Sequence, residues 1–447
     1  MSSNLRKNFS AGTYTTVVYL ISQLLLTPLL LWLWGRETYA HWLVLYTIPA
    51  YFAFAEAGIN GSLGNALAIA VEQKNFGGAS RMVRGVWRWQ FVLWAAVFAV
   101  FVVLLAVFPL RRWLALEAMS QWAFAATSVL LAVYSLGSLQ AGFYTAIFRA
   151  GGQFPRYLRL SGNLRIAEVL SLGVVAFFGG RLVAGAASLV ALRIAFTLWC
   201  HFERDRLLPE VDFRTGPAPF SEFIGLLPAG LGFLGFPIGN AIINQGATVL
   251  LNRLGGASAV IMLNIGRQIG RLFLQGAGVL IQSVHPEMSV AFARDNFRRM
   301  AQLQAKALTP ILWFSPFFCI GLAIAGPRVV DVWTHHRIGL SHAASASFAL
   351  EACVASLSNA AILVVWATNR HIPLCVTYLV AQGTALGGAW MLYPVFGLIA
   401  VPLAFSITTI LHACICLWLG ARTARVSCRE VATDAILGRS FLQIFAN

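Results

Sequence analysis

Apolar runs of roughly 20 residues, separated by short polar turns, follow one another along almost the whole chain. They lie near 11–33, 41–63, 86–108, 120–143, 162–179, 183–200, 223–248, 257–282, 305–325, 344–367, 372–393 and 396–419. Each is about the length that one helical bilayer crossing needs. Continuous apolar runs, and not ten-residue alternations, point to helices and exclude a barrel, the other structure that satisfies its backbone in lipid. The pattern predicts an all-α polytopic membrane protein with twelve transmembrane helices.

The longest polar segment between runs, "HFERDRLLPEVDFRTGPAPFSEF" at 201–223, follows the sixth. It divides the chain into a six-helix bundle at 1–200, a linker at 201–222, a second six-helix bundle at 223–420 and a tail at 421–447. The tail is basic at first. It then carries Val431, Ile436, Leu437, Phe441, Leu442 and Phe445, a pattern suited to a helix lying on the membrane surface. The first run is too long for a signal-peptide core, so the first helix is expected to be an uncleaved anchor.

Composition agrees with this reading. The chain is 59% hydrophobic and 11% charged, against about 25% charged in a soluble domain. Of the 32 Lys and Arg residues, 21 fall in loops on one side, among them Lys74, Arg81, Arg149, Arg156, Arg165, Arg204, Arg298, Arg370 and Arg439. Seven fall on the other side, and Arg88, Arg193, Arg267 and Arg271 lie within runs. The positive-inside bias places both termini in the cytoplasm. A net charge of +16 spread over short loops is no nucleic-acid footprint. The seven cysteines lie mostly in apolar runs without CxxC spacing, as small core residues and not a disulfide or zinc framework.

The two halves echo each other. Gly35 and Gly256 are 221 residues apart, as are Asn75-Phe76 and Asn296-Phe297. Each half opens with a helix, a Gly turn, a second helix and a basic loop. Such an echo suggests parallel repeats about an axis normal to the membrane, and transporters commonly bind substrate at a repeat interface.

Polar residues inside apolar helices are the candidates for function. In the first run Thr16, Tyr19, Gln23 and Thr27 share one helix face, and in the seventh Asn240, Asn244 and Thr248 do the same. These stripes suit interhelical hydrogen bonds or a shared hydrophilic cavity. The seventh run also holds Pro228, Gly230, Gly232, Gly235, Pro237 and Gly239, which favour kinks and close packing.

The eighth run contains "NIGRQIGR", with Arg267 and Arg271 near its centre. An arginine there costs roughly 2.5–3.5 kcal/mol on insertion scales, and at a spacing of four the two repel one another across one face. Two readings account for them. One is a structural ion pair, with Glu56 or Glu168 as partner. The other is an anion site in a wet cavity, since guanidinium forks suit phosphate. Glu56 itself could be protonated, paired or coupled to a cation. Arg88 and Arg193 lie nearer the cytoplasmic face, where snorkelling is expected. His335, His336 and His342 sit in an external loop without a carboxylate cluster and read as solvated. There is no P-loop, no HExxH and no large external loop, so the sequence predicts neither an enzyme, a cofactor nor a metal site.

Three stretches carry a resemblance to a known family: residues 8–63, "SVHPEMSVAFARDN" (283–296) and "AIAGPRVVDVW" (323–333). They resemble bacterial polysaccharide-export proteins of the O-antigen flippase (Wzx) type, in the superfamily that includes the lipid II flippase and the multidrug-and-toxin extruders. The resemblance implies two six-helix bundles around a central cavity that opens alternately to either membrane face. It implies a bacterial inner-membrane location, an oligosaccharide substrate linked through diphosphate to a polyprenol, and a polysaccharide polymerase and other assembly proteins as partners. Arg267 and Arg271 match the family's charged cavity residues. The polar stripes would contact the glycan, and the prenyl tail would stay among membrane lipids. The first run lacks an arginine, unlike the lipid II flippase. Two other readings are a multidrug-type antiporter, which for cationic drugs would want a carboxylate in the first run where this chain has none, and a membrane-embedded polymerase or assembly scaffold.

Overall fold

The computed structural model describes residues 3–52, 56, 58–231, 235–367, 372–423, 425 and 427–438. Gly232, Arg370, Arg439 and the expected tail residues Phe441, Leu442 and Phe445 lie outside the described residues. The chain forms two compact units, Met1–Leu234 and Gly235–Asn447.

The first unit comprises α1 (Ser3–Leu45), α2 (Ile48–Phe52), α3 (Ile59–Glu72), α4 (Phe76–Val107), α5 (Leu110–Trp113), α6 (Gln121–Ala150), α7 (Phe154–Phe177), α8 (Leu182–Leu207) and α9 (Phe220–Leu231). Its core gathers Ile59, Leu63 and Leu67 of α3, Val83 and Val86 of α4, and Phe143, Tyr144 and Phe148 of α6. Elsewhere α4 shows Phe91, Val100, Val103 and Val107 outward, as a lipid-facing surface should. The second unit comprises α10 (Gly235–Ala241), a π-helical turn (Ile242–Gly246), α11 (Ala247–Ala293), α12 (Phe297–Trp333), α13 (His342–Ala361), α14 (Leu363–Ala367), α15 (Ile372–Phe396), a 3-10 turn (Gly397–Ile399), α16 (Ala400–Thr423) and α17 (Cys428–Leu437).

Among the described residues nine helical runs are long and apolar enough to cross a membrane. Three of them double back and so hold two crossings each, which accounts for twelve. In Ser10–Phe52 the reversal is at Gly35. Tyr39 donates a hydrogen bond to the Thr27 hydroxyl at 3.0 Å, whereas a straight helix would hold residues so spaced about 18 Å apart. In Gly235–Ile281 the reversal is at Gly256, and Arg267 reaches the Ile243 carbonyl at 2.7 Å. In Leu374–Thr423 the 3-10 turn makes the reversal, bringing Gly388 against Ala404. Gly35 (φ 77°, ψ 175°) and Gly256 (φ 64°, ψ −162°) occupy a backbone region that is essentially glycine-only. That is why glycine stands at both.

The internal echo extends through the fold at the same 221-residue interval. Asn75 and Asn296 each cap a helix, accepting from the backbone N–H three residues on. Ser120 and Ser341 do the same. Lys74 and Asp295, and Ala115 and His336, share positive φ. The stripe Tyr19–Gln23–Thr27 falls at the positions of Asn240–Asn244–Thr248.

Two expectations change. The second crossing is not one helix over 41–63. Pro49 lacks an N–H and Gly58 takes φ 69°, so the segment breaks into the end of α1, the short α2 and α3. The linker expected at 201–222 begins later, since α8 runs on to Leu207, and it is held to the first unit. Arg84 of α4 donates to the carbonyls of Asp212 and Pro217, at 2.8 and 3.1 Å, and Trp89 donates to Ala218. α9 then packs on α3 and α4 and belongs with the first unit.

Candidate functional site

The seventh and eighth crossings form a hairpin closed at Gly256, and the π turn lies on its first arm. A π turn shifts the backbone bonding register by one residue, a feature frequent at functional sites. Here Arg267 Nη1 donates to the carbonyl of Ile243, inside that turn, at 2.7 Å. Arg267 Nη2 faces Glu351 Oε1 of α13 at 3.3 Å, and the guanidinium lies 5.6 Å from the ring centroid of Phe405. Arg271, one turn further along α11, donates to Asn244 Oδ1 at 2.8 Å. Asn244 Nδ2 donates to the Asn240 carbonyl, and Tyr378 to Asn240 Oδ1 at 3.1 Å.

The repeated Gly-Arg of "NIGRQIGR" has a local cause. Gly266 and Gly270 face α13: a methyl at Gly266 would run into the Phe348 ring, and one at Gly270 would lie 3.1 Å from the Phe348 carbonyl. Two residues without side chains let α11 approach the Ala- and Ser-rich α13 closely. The adjacent positions then carry the arginines beside that contact, within reach of Glu351 and the π turn.

Together these groups wall a cavity of about 150 Å³, lined also by Asn359, Thr409, Ala355 and Leu274. That is the size of an engineered cavity that accepts benzene, so it can house a phosphate-sized group but not a glycan. Two guanidinium groups and one carboxylate give it a net positive charge. Among the described residues no carboxylate lies within 4 Å of Arg271, and the buried Nε of Arg267 and Oε2 of Glu351 have no hydrogen-bond partner.

Of the residues singled out by sequence, Arg267, Arg271, Asn240 and Asn244 meet here. Thr16, Tyr19, Gln23 and Glu56 belong to the first unit and line no part of this cavity. Thr16 is exposed and bonds back to the Gly12 carbonyl. Glu56 is half-buried beside Asn60, to which it hydrogen-bonds. Neither proposed partner takes up Arg267. Glu351, which the sequence reading passed over, does so. Its signal was available: it is the one acid in the run 344–367.

Glu168 has partners of its own. It is 1% exposed and bound by Arg193 Nη2 at 2.5 Å and Arg165 Nη1 at 3.4 Å, with Tyr134 donating at 3.1 Å. Arg193 therefore does not snorkel to the membrane surface, and Arg165 lies inside α7 and not in a loop. Tyr19 joins this cluster through its ring, 5.6 Å from the Arg165 guanidinium. The first unit thus holds its own buried arginine pair, and here both arginines share one glutamate.

No protein-family model and no curated protein matches the sequence. Solved structures do match, at low identity and over nearly the full length. An inward-facing multidrug resistance MATE family transporter of the MOP superfamily aligns with TM-score 0.70 and 13% identity, covering 94% of this chain and 98% of its own. A MATE protein in a bent conformation aligns at 0.64 and 12%, covering 97% and 99%. A MOP superfamily transporter from Pyrococcus furiosus, described as having a binding pocket of reverse polarity, aligns at 0.61 and 13%, covering 94% of each chain. At this identity the likeness establishes the fold: an all-helical, multi-pass membrane protein with twelve crossings in two six-helix lobes.

Proposed function

We propose that this protein is a transporter that moves a polyprenyl-diphosphate-linked oligosaccharide from the cytoplasmic to the outer leaflet of a bacterial inner membrane, with both termini cytoplasmic. The single observation that carries the reading is Arg271. It lies in a cavity deep within an apolar bundle, beside an arginine that already has the local carboxylate. A charge so placed wants an anion, and the geometry of two guanidinium groups suits phosphate oxygens. The diphosphate would sit on Arg267 and Arg271 with Asn244 and Asn240 beside it. Glycan and prenyl tail would lie outside the small cavity, the tail in lipid. Thr16, Tyr19, Gln23 and Glu56 remain candidates for contacting the glycan from the first unit. A polysaccharide polymerase or other assembly protein would receive the product.

A small-molecule antiporter is the competing reading. Its support is the fold shared with multidrug MATE transporters and the carboxylate of Glu351 in the cavity. The excess of arginine weighs against cationic drugs, and the Pyrococcus neighbour's reversed pocket polarity fits a change of substrate class within one fold.

The test is deletion of the gene in its host, followed by lipid extraction and leaflet-exposure assay of the lipid-linked repeat unit. Completed units held on the cytoplasmic leaflet, with surface glycan lost and restored by the wild-type gene but not by Arg271→Ala, are expected. Normal surface glycan with altered drug susceptibility would replace this reading by drug efflux.

A further inference from the structure

A second cavity lies apart from the arginine site and shares no lining residue with it. Its volume is about 450 Å³, and its walls come from α12, α13, α16 and α17, including Leu312, Leu357, Leu417, Trp418, Val431 and Ile436. Every lining side chain is aliphatic, sulfhydryl or indole. The size falls within the range of sites that bury a small organic ligand.

The position explains how it forms. α17 begins in a capping box between Ser427 and Glu430 and ends at Gly438 in the left-handed conformation. Trp313 of α12 donates to the Ile436 carbonyl at 2.9 Å and ties down its far end. The helix thereby runs beside α12, with Val431 near Ala301 and Gln304 and Ile436 at Trp313. It touches the core through Val431 and Ala435 and leaves a gap between itself and the α12–α16 pair.

The mouth is basic. Arg422 lies 5.5 Å from the ring centroid of Trp418, which lines the cavity. Arg429 adjoins the lining residue Cys428 in sequence; both arginines are exposed, and neither is itself a lining residue. The two acids of α17, Glu430 and Asp434, line no part of the cavity, and Glu430 is engaged with the Ser427 backbone. Tryptophan beside arginine marks the headgroup level of a bilayer. From Trp418 to Ile410, the lining residue deepest along α16, the cavity runs about 12 Å at 1.5 Å per residue. An apolar slot of that depth, opening under arginines, matches one molecular class: a chain-bearing lipid with an anionic headgroup.

We infer that this cavity is a binding site for an acidic phospholipid, with one acyl chain between α17 and the α12–α16 pair and its phosphate held by Arg422 and Arg429. The lipid would fill the gap that α17 leaves beside its own anchors on α12 and α16. The site stands whatever the arginine cavity carries, because it needs no transport substrate.

Native mass spectrometry of the full chain tests this, using phosphatidylglycerol and phosphatidylethanolamine of identical acyl chains. An arginine near an acidic headgroup contributes roughly fivefold, so the wild type is expected to retain phosphatidylglycerol at least about tenfold better. Arg422→Gln with Arg429→Gln should abolish that preference while leaving thermal unfolding in lipid-free detergent unchanged. Ala432→Phe, at an exposed lining position, should reduce retention of both lipids by filling the slot. Equal retention of the two lipids by the wild type would overturn the assignment. So would a preference that survives loss of both arginines, retention indifferent to Ala432→Phe, or a second copy of the chain bound in place of lipid.

Discussion

Arg267 Nη1 and the carbonyl of Ile243 meet at 2.7 Å across the Gly256 hairpin, so the guanidinium ties the two arms together at the π turn. This contact makes Arg267 structural as well as electrostatic, whereas Arg271 is held by one side-chain bond to Asn244. The two arginines should therefore fail differently. Arg267→Ala strands Glu351 and the Ile243 carbonyl, and breaking a buried pair from one side costs about 3–5 kcal/mol. Arg271→Ala relieves like-charge repulsion and should leave thermal stability within about 1 kcal/mol. Thermal unfolding in detergent separates them. Equal losses for both variants would refute the division of roles. In the double variant Arg267→Ala/Glu351→Gln, part of the single-variant loss should return, because no buried charge is left alone.

The first unit's cluster makes a parallel prediction. Glu168 is shared by Arg165 and Arg193 and also accepts from Tyr134. Glu168→Gln leaves two buried guanidinium groups facing each other, and its loss of stability should be about 3–5 kcal/mol. Arg165→Gln, which removes the longer of the two pairings, should cost less than Arg193→Gln. Chemical denaturation of the three variants gives the order directly, and the reverse ranking of the two arginine variants would contradict the assigned geometry.

How much of this was legible beforehand depends on the range of each interaction. Gly35, Gly256, Asn75 and Asn296 could be read from the chain because hairpin backbone and helix caps are local, and the 221-residue interval repeats them. Asn240, Asn244, Arg267 and Arg271 could be placed on faces by spacing alone. What spacing could not supply was the identity of partners. Arg267 finds Glu351 84 residues along the chain, and only the packing of Gly266 and Gly270 on α13 decides that. Arg193 looked free to snorkel because Glu168 lies on a different crossing. The break of the second crossing was legible in Pro49 and Gly58, but its hydrophobicity outweighed them in a reading by apolar length.

The hairpin glycines give a test free of side-chain packing. A methyl at Gly35 or Gly256 would meet no atom within 4 Å, so any loss on Gly→Ala is backbone strain alone. Both occupy the glycine-only region, and each substitution should cost about 1–3 kcal/mol. Gly276, inside α11, is equally open. There Gly→Ala should gain up to about 1 kcal/mol, since alanine is the better helix former. Opposite signs at Gly256 and Gly276 in a thermal-shift assay are the expected result, and matching signs would refute backbone conformation as the cause of the Gly256 loss.

The linker offers a pH test outside the membrane. The Asp212 carboxylate accepts from the Thr215 hydroxyl and from the backbone N–H groups of Thr215 and Arg214, with Arg84 nearby. Those bonds favour the charged form and hold its pKa at about 2, below the ordinary 3.8. A depressed carboxylate contributes order that is complete above the ordinary value and disappears as pH falls through the depressed one. The turn over 212–215 should thus stay closed at neutral pH and loosen between about pH 4 and pH 2. Hydrogen exchange at the Arg214 and Thr215 amides, corrected for the intrinsic pH dependence of exchange, reads this out. Asp212→Ala, which removes the acceptor, should expose both amides already at neutral pH, and Asp212→Asn, which keeps an acceptor oxygen but no titrating group, should remove the acid transition. A variant that keeps the transition would assign it to another group.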